Sequence, residues 1–204
     1  MAKVKMSKKS TKIDMTAMCD VAFLLLSFFV MTSTAKVPEP LPVDTPASTV
    51  QTKLPDADLV TITVGKEKVF FGMIGQDIRR DALGKIAEKY KIQFTEEETK
   101  RFSLIDGFGV PVGNLNKLIS LTGEERNKEG LQPGIPYDSV DNQLREWVLA
   151  ARYATKELHN TELKVAIKAD GKEEYPTVKK VIDILQKQKV NKFFLVTGLR
   201  TDDF

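Results

Sequence analysis

The chain has 204 residues, 42% of them hydrophobic and 29% charged, with 31 Lys and Arg against 28 Asp and Glu for a net charge of +3. Those proportions exclude a disordered chain and a strongly basic nucleic-acid binder. One cysteine and one histidine exclude an intramolecular disulfide, and they leave little for zinc or Ser/His/Asp chemistry.

The first element is the most apolar stretch of the chain, MTAMCDVAFLLLSFFVMTS, Met15 to Ser33. From Met15 to Thr34 it offers about 20 residues at ~1.5 Å each, matching the ~30 Å of bilayer hydrocarbon. It is read as a transmembrane helix over 15–34, behind a basic tail over 1–14. Lys3, Lys5, Lys8, Lys9 and Lys12 precede it, whereas only Lys36 follows before Glu39 and Asp44. The positive-inside rule then makes the tail cytoplasmic and puts residues from about 35 onward across the membrane. A cleaved signal peptide shares the basic start, the apolar run Val21 to Met31 and a small-residue site at Ser33-Thr34-Ala35. Asp14 and Asp20 oppose that reading, because carboxylates beside or within the run oppose insertion as a signal. A core helix of a soluble protein fits less well, since lysines and prolines isolate the segment on both sides. Cys19, inside the run, reads as a buried, inert thiol.

Asp20 is the residue that composition does not explain. At 100° per residue, Thr16, Asp20, Ser27 and Thr34 fall within about 40° of one another, while Ala17, Val21, Leu25, Phe28 and Phe29 take the opposite side. Lipid gains nothing from such a stripe, so it should face another protein or a wet passage that one helix cannot form alone. An acid facing apolar walls favours its protonated form, and one turned to water its ionised form. Asp20 could therefore carry a proton, and each charge moved through 100 mV yields about 2.3 kcal/mol, enough to drive a conformational cycle without a nucleotide. The other reading keeps Asp20 as a hydrogen-bonded assembly residue that never changes its charge.

Residues 35–57 hold Pro38, Pro40, Pro42, Pro46 and Pro55, five of the nine prolines. They read as an extended linker, reaching up to about 70 Å at ~3.1 Å per residue. The folded domain is expected over 58–204. Alternation in Asp58 to Val64, a turn at Gly65 and the run Val69-Phe70-Phe71 predict a hairpin. Gln76 to Tyr90 predicts a helix, Thr95-Glu96-Glu97-Glu98 a capping box opening another, and Val112 to Leu121 a third. The run Glu96 to Glu98 is a solvated first turn rather than a metal site. Gly107-Phe108-Gly109-Val110-Pro111-Val112-Gly113 fails as a phosphate loop, because its glycines are one residue too far apart and Pro111 removes an N–H. Tyr137 to His159 predicts the longest helix outside the apolar segment, with Val140, Leu144, Trp147, Val148, Ala151 and Leu158 on its buried face and His159 merely solvated at its end. A strand Leu163 to Ala169, a helix Pro176 to Lys187 and a strand Lys192 to Thr197 complete a mixed α/β layer. Lys179, Lys180, Lys187 and Lys189 leave the last helix basic outside, either solvated or set against an acidic partner or cell wall.

Two blocks carry a family resemblance. Thr16 to Phe29, TAMCDVAFLLLSFF, resembles the membrane segment of the ExbD/TolR family of biopolymer-transport proteins, and LKVAIKADGKEEYPTVKKVIDILQKQKVNKFFLVT, Leu163 to Thr197, is similar to that family's strand, "AD" turn, helix and final strand. The blocks cover about a quarter of the chain, in the family's order. Three departures stand out: Ala17 where proline is frequent, no glycine in Gln188-Lys189-Val190-Asn191, and about 65 extra residues, 72–136, read as a helical insertion. If that insertion docks a periplasmic partner, deleting Gly72 to Pro136 with the flanking strands rejoined is expected to spare ring assembly yet stop transport.

The resemblance implies a mixed α/β periplasmic domain behind a single N-terminal transmembrane helix, in the inner membrane of a Gram-negative envelope. It implies a dimer inside the ring of an ExbB-like polytopic partner, passing proton-motive force to a TonB-like protein. On it, Asp20 matches the proton-accepting aspartate, with Thr16, Ser27 and Thr34 lining the route. Protons are the coupling ion, and no cofactor, metal or nucleic acid is expected. A TolR-like role in envelope maintenance uses the same parts. A non-motor anchor that binds peptidoglycan or a receptor through its C-terminal domain is the alternative from another class. An enzyme is the poorest reading, because no nucleophile with its base, no placed carboxylate pair and no nucleotide loop is found.

Overall fold

A computed structural model describes residues 15–33, 39–49, 52–128, 130–138 and 141–199. The chain divides into two compact units, Met1–Val37 and Pro38–Phe204. The first contains α1 (Met15–Thr32), 18 residues without glycine or proline. At ~1.5 Å per residue it is about 27 Å long, close to the hydrocarbon thickness. None of its residues is buried. Its hydroxyls turn back on the helix: Ser27 Oγ donates to the Leu24 carbonyl at 2.8 Å and Thr32 Oγ1 to the Phe28 carbonyl at 2.8 Å. Such local bonds let polar side chains enter hydrocarbon without orphaned donors.

The second unit runs, in chain order, β1 (Ala47–Ser48), β2 (Leu59–Gly65), β3 (Lys68–Met73), α2 (Gln76–Tyr90), α3 (Glu96–Ser103), β4 (Gly107–Phe108), α4 (Leu115–Ser120), α5 (Gly123–Arg126), α6 (Gln143–His159), β5 (Lys164–Ala169), α7 (Tyr175–Lys187), β6 (Phe194–Val196) and β7 (Gly198–Leu199). It is a mixed α/β fold around a five-stranded sheet of order β4-β3-β2-β5-β6. β2 and β3 form the expected hairpin, antiparallel from Val60↔Met73 to Gly65↔Lys68. Its two-residue turn, Lys66-Glu67, has both residues in the left-handed region at φ 52° and 58°, as the tight turn with matching twist requires. β5 lies parallel to β2, and β6 parallel to β5. Parallel neighbours need a crossover, which α7 supplies between β5 and β6.

One core holds the unit together. Trp147 of α6 is fully buried, with the rings of Phe71, Phe102 and Phe108 at centroid distances of 6.2, 5.9 and 4.8 Å. Phe71 comes from β3, Phe102 from α3 and Phe108 from β4. The segment 72–136 therefore forms its expected helices and also completes the sheet and the core. α2 packs along α6, with Lys85 Nζ 2.7 Å from the Glu157 carboxylate and Lys89 paired with Glu146. Arg79, 7% exposed, ties the segment inward. Its Nε donates to the Met73 carbonyl at 2.7 Å, Nη1 to the Ser103 carbonyl at 2.6 Å and Nη2 to the Asp106 carboxylate at 2.6 Å.

The expected linker, 35–57, is not a free spacer along its whole length. Leu41 is buried, Gly171 N donates to the Asp44 carbonyl at 2.7 Å, Gly198 N to the Pro46 carbonyl at 3.0 Å, and β1 pairs in parallel with β7. Glu39 also pairs with Lys168 of β5. Prolines that keep the chain extended leave carbonyls free to accept these bonds. Gly65 gives the strap room, since a Cβ there would meet Val43 Cγ1 at 2.7 Å. The α6 helix begins later than Tyr137, because the Asn142 side chain accepts from Arg145 N at 2.9 Å and caps it there. Val140 lies outside the described residues, and Leu158, expected on the buried face, is 49% exposed.

Candidate functional site

The candidate site is the polar stripe of α1. Helical periodicity sets Thr16 one turn before Asp20 and Ser27 two turns after it, about 10 Å along the axis. Thr34 lies outside the described residues, as does Asp14. Asp20 is exposed on α1, and so are its apolar neighbours, with Phe23 at 73% and Leu24 at 66%. The same holds for Cys19, whose thiol has no burial within the chain. Two consequences follow. The apolar side chains require a covering phase that the helix does not provide, and the helix gives the carboxylate no walls. Ser27 directs its proton to Leu24, so it presents lone pairs as an acceptor, and the 10 Å to Asp20 is too long for a direct hydrogen bond. A proton route along the stripe needs water or a partner's side chains between the two.

Among the described residues, one helix is long and apolar enough to cross a membrane, Met15–Thr32. Among them also, no group of three or more His, Cys, Asp or Glu is placed to hold a metal ion.

His159 is not merely solvated. Its Nδ1 meets the Asp58 carboxylate and its Nε2 the Asp77 carboxylate at 2.8 Å, while Thr161 Oγ1 donates to Asp58 at 2.8 Å. For both ring nitrogens to donate to ionised carboxylates the ring must be protonated, so this arrangement favours the imidazolium. The hydrogen bond to Asp58, then that to Asp77, raises the His159 pKa above its ordinary 6.5, against a smaller opposing desolvation. At Asp58 and Asp77 desolvation pushes upward most strongly of any single influence, yet hydrogen bonds and the histidine's charge together outweigh it and both pKa values fall below 3.8. The clasp joins the end of α6, the residue before β2 and the first turn of α2. No local pattern announces it, because the partners lie 101 and 82 residues from His159.

The glycine-rich run at 107–113 serves packing. Gly109 N donates to Gln132 Oε1 at 2.6 Å, and a Cβ on Gly109 would strike the Phe70 ring at 2.5 Å. On the basic face of α7, Lys180 Nζ stands 5.9 Å from the centre of the Tyr137 ring.

Searches of curated proteins and of solved structures gave no match. A sequence model of the family described as biopolymer transport protein ExbD/TolR matches residues 6–199, nearly the whole chain. The chain belongs to the ExbD/TolR family, and is a membrane protein of biopolymer transport that works within a membrane complex.

Proposed function

We propose that this protein is the proton-carrying subunit of an inner-membrane motor of the ExbB-ExbD type, energising TonB-dependent transport across the outer membrane. Its N-terminus is cytoplasmic and its C-terminal unit periplasmic. Two copies sit within an ExbB-like ring, which provides the walls that α1 lacks. Asp20 takes up and releases the coupling proton, and Thr16, Ser27 and Thr34 line the route. ExbD/TolR family proteins are not enzymes, so the work comes from an ion gradient rather than bond chemistry at this chain. The observation that carries the reading is a lone carboxylate, on a polar stripe, inside a spanning-length helix whose residues are all unburied.

The experiment is Asp20→Asn in cells, with energy-dependent uptake and recovery of the ring partner measured together. Loss of uptake with protein level and partner recovery unchanged is expected. Full uptake in the variant overturns the proton role. One observation favours a second reading, in which Asp20 only assembles helices: Ser27 spends its hydroxyl proton on its own backbone. For that reading Asp20→Asn reduces partner recovery more than uptake. A TolR-like duty keeps the proton chemistry and loses envelope integrity instead of nutrient uptake.

A further inference from the structure

Between α6 and the turn that joins α7 to β6 lies a cleft of about 560 Å³, within the ~300–1,000 Å³ typical of ligand sites. Its lining carries Arg152, Lys156, Lys189 and Lys192 against one carboxylate, Glu162, with Tyr153 standing 53% exposed beside them. The lining thus carries an excess of three positive charges. Among the described residues Lys156, Lys189 and Lys192 have no ion pair. Arg152 is held in position, since Nη1 donates to the Gln188 carbonyl at 2.8 Å and ties α6 to the end of α7. The rest of its planar fork is left for a carboxylate.

Helix dipoles explain part of this charge, because the carboxyl ends of α6 and α7 both meet here and favour cations. They account for Lys156, in the last turn of α6. They do not account for Arg152 in the body of that helix, Lys192 beyond the turn, or Lys189. Lys189 has φ 61°, the left-handed region where an L side chain crowds its own carbonyl and glycine fits more easily. A strained lysine where glycine would serve the turn better adds another ammonium to the rim, and strain of this kind gathers at functional surfaces.

The same dipoles bear on the ligand. A phosphate would look for helix N-termini, and both ends here are of the opposite sign. Carboxylates spread along a chain avoid that conflict by meeting the cations one at a time, while Leu149 and Val190 line the cleft with apolar surface. We propose that the cleft docks an acidic peptide segment of a partner protein, with its carboxylates on Arg152, Lys156, Lys189 and Lys192 and an apolar side chain against Tyr153. The proposal is independent of the role given to Asp20.

The test uses the full chain in detergent micelles and a fluorescein-labelled hexapeptide alternating glutamate and leucine, with fluorescence anisotropy as the readout. The peptide is expected to bind, to weaken as sodium chloride rises from about 50 to 500 mM, and to bind about tenfold more tightly than its glutamine counterpart. The pair K156Q/K192Q should weaken binding about tenfold. K189G should weaken it about threefold without lowering the thermal midpoint, separating the charge from the fold. D20N should bind as the parent does. Equal binding of the glutamine peptide, parental affinity in the double variant, or full displacement by equimolar inorganic phosphate each overturns the proposal.

Discussion

His159 holds a proton between carboxylates from two different elements, and this makes stability depend on pH in a calculable direction. Its folded pKa is raised, so its contribution is complete below the unfolded value near 6.5 and is lost as pH climbs through the folded value. Asp58 and Asp77 have depressed pKa values, so their contribution is complete above about 4 and fades as pH falls. The clasp is therefore strongest between about pH 4 and 6.5. Urea midpoints of the full chain should fall between pH 6 and 9, and H159N should flatten that part of the profile; an unchanged slope in H159N would show that other groups set it. Asp20 and His159 mark the limits of reading at this scale. The helix that carries Asp20 was legible because its signal is local, one apolar run of spanning length. The partners of His159 come from the residue before β2 and the first turn of α2, 101 and 82 residues away, which no spacing rule encodes.

Elements were legible where their signals are local as well. Gln76–Tyr90 forms as periodicity predicts, and Thr95 Oγ1 accepts from Glu98 N at 3.2 Å while the Glu98 carboxylate accepts from Thr95 N at 2.8 Å, as the Thr-x-x-Glu pattern requires. The same pattern at Thr122-Gly123-Glu124-Glu125 passed unread, although it caps α5 in the same way. β1, β4 and β7 are two residues each, too short for alternation to show, and exist only because the sheet and the strap bring partners to them. Arg79 shows how such pieces are fastened. Replacing it by alanine leaves the Met73 and Ser103 carbonyls without their donor, each costing about 1–3 kcal/mol, while the exposed Asp106 returns to water at little loss. R79A should lower stability by about 2–4 kcal/mol, read from chemical denaturation at unchanged slope. R79K, which reaches one carbonyl at most, should recover less than half. A loss below about 0.5 kcal/mol in R79A would show that the guanidinium is incidental to the fold.

At the scale of the molecule, a helix with no buried residue and a tightly packed α/β unit answer to different physics, and they should fail separately. Every apolar side chain of α1 awaits lipid or a partner, so substitutions there act on assembly and transport. The C-terminal unit instead depends on a core to which segment 72–136 contributes Phe102, Phe108, Leu83, Ile86 and Leu115, all nearly inaccessible. Large buried side chains cost about 2–5 kcal/mol each when truncated, against the roughly 5–15 kcal/mol that holds a domain together. Deleting Gly72 to Pro136 removes several at once, strips two rings from Trp147 and takes α2 from α6. The deletion should thus abolish the folded unit: amide exchange through β2 and β5 should become fast, and limited proteolysis should leave no resistant core. F108A, which opens a single cavity beside Trp147, should cost about 3–5 kcal/mol and keep the fold. D20N should leave exchange in β2 and β5 untouched while uptake is lost. If the deleted chain instead kept protected strands, the core shared across the segment would be dispensable, and 72–136 would be a graft after all.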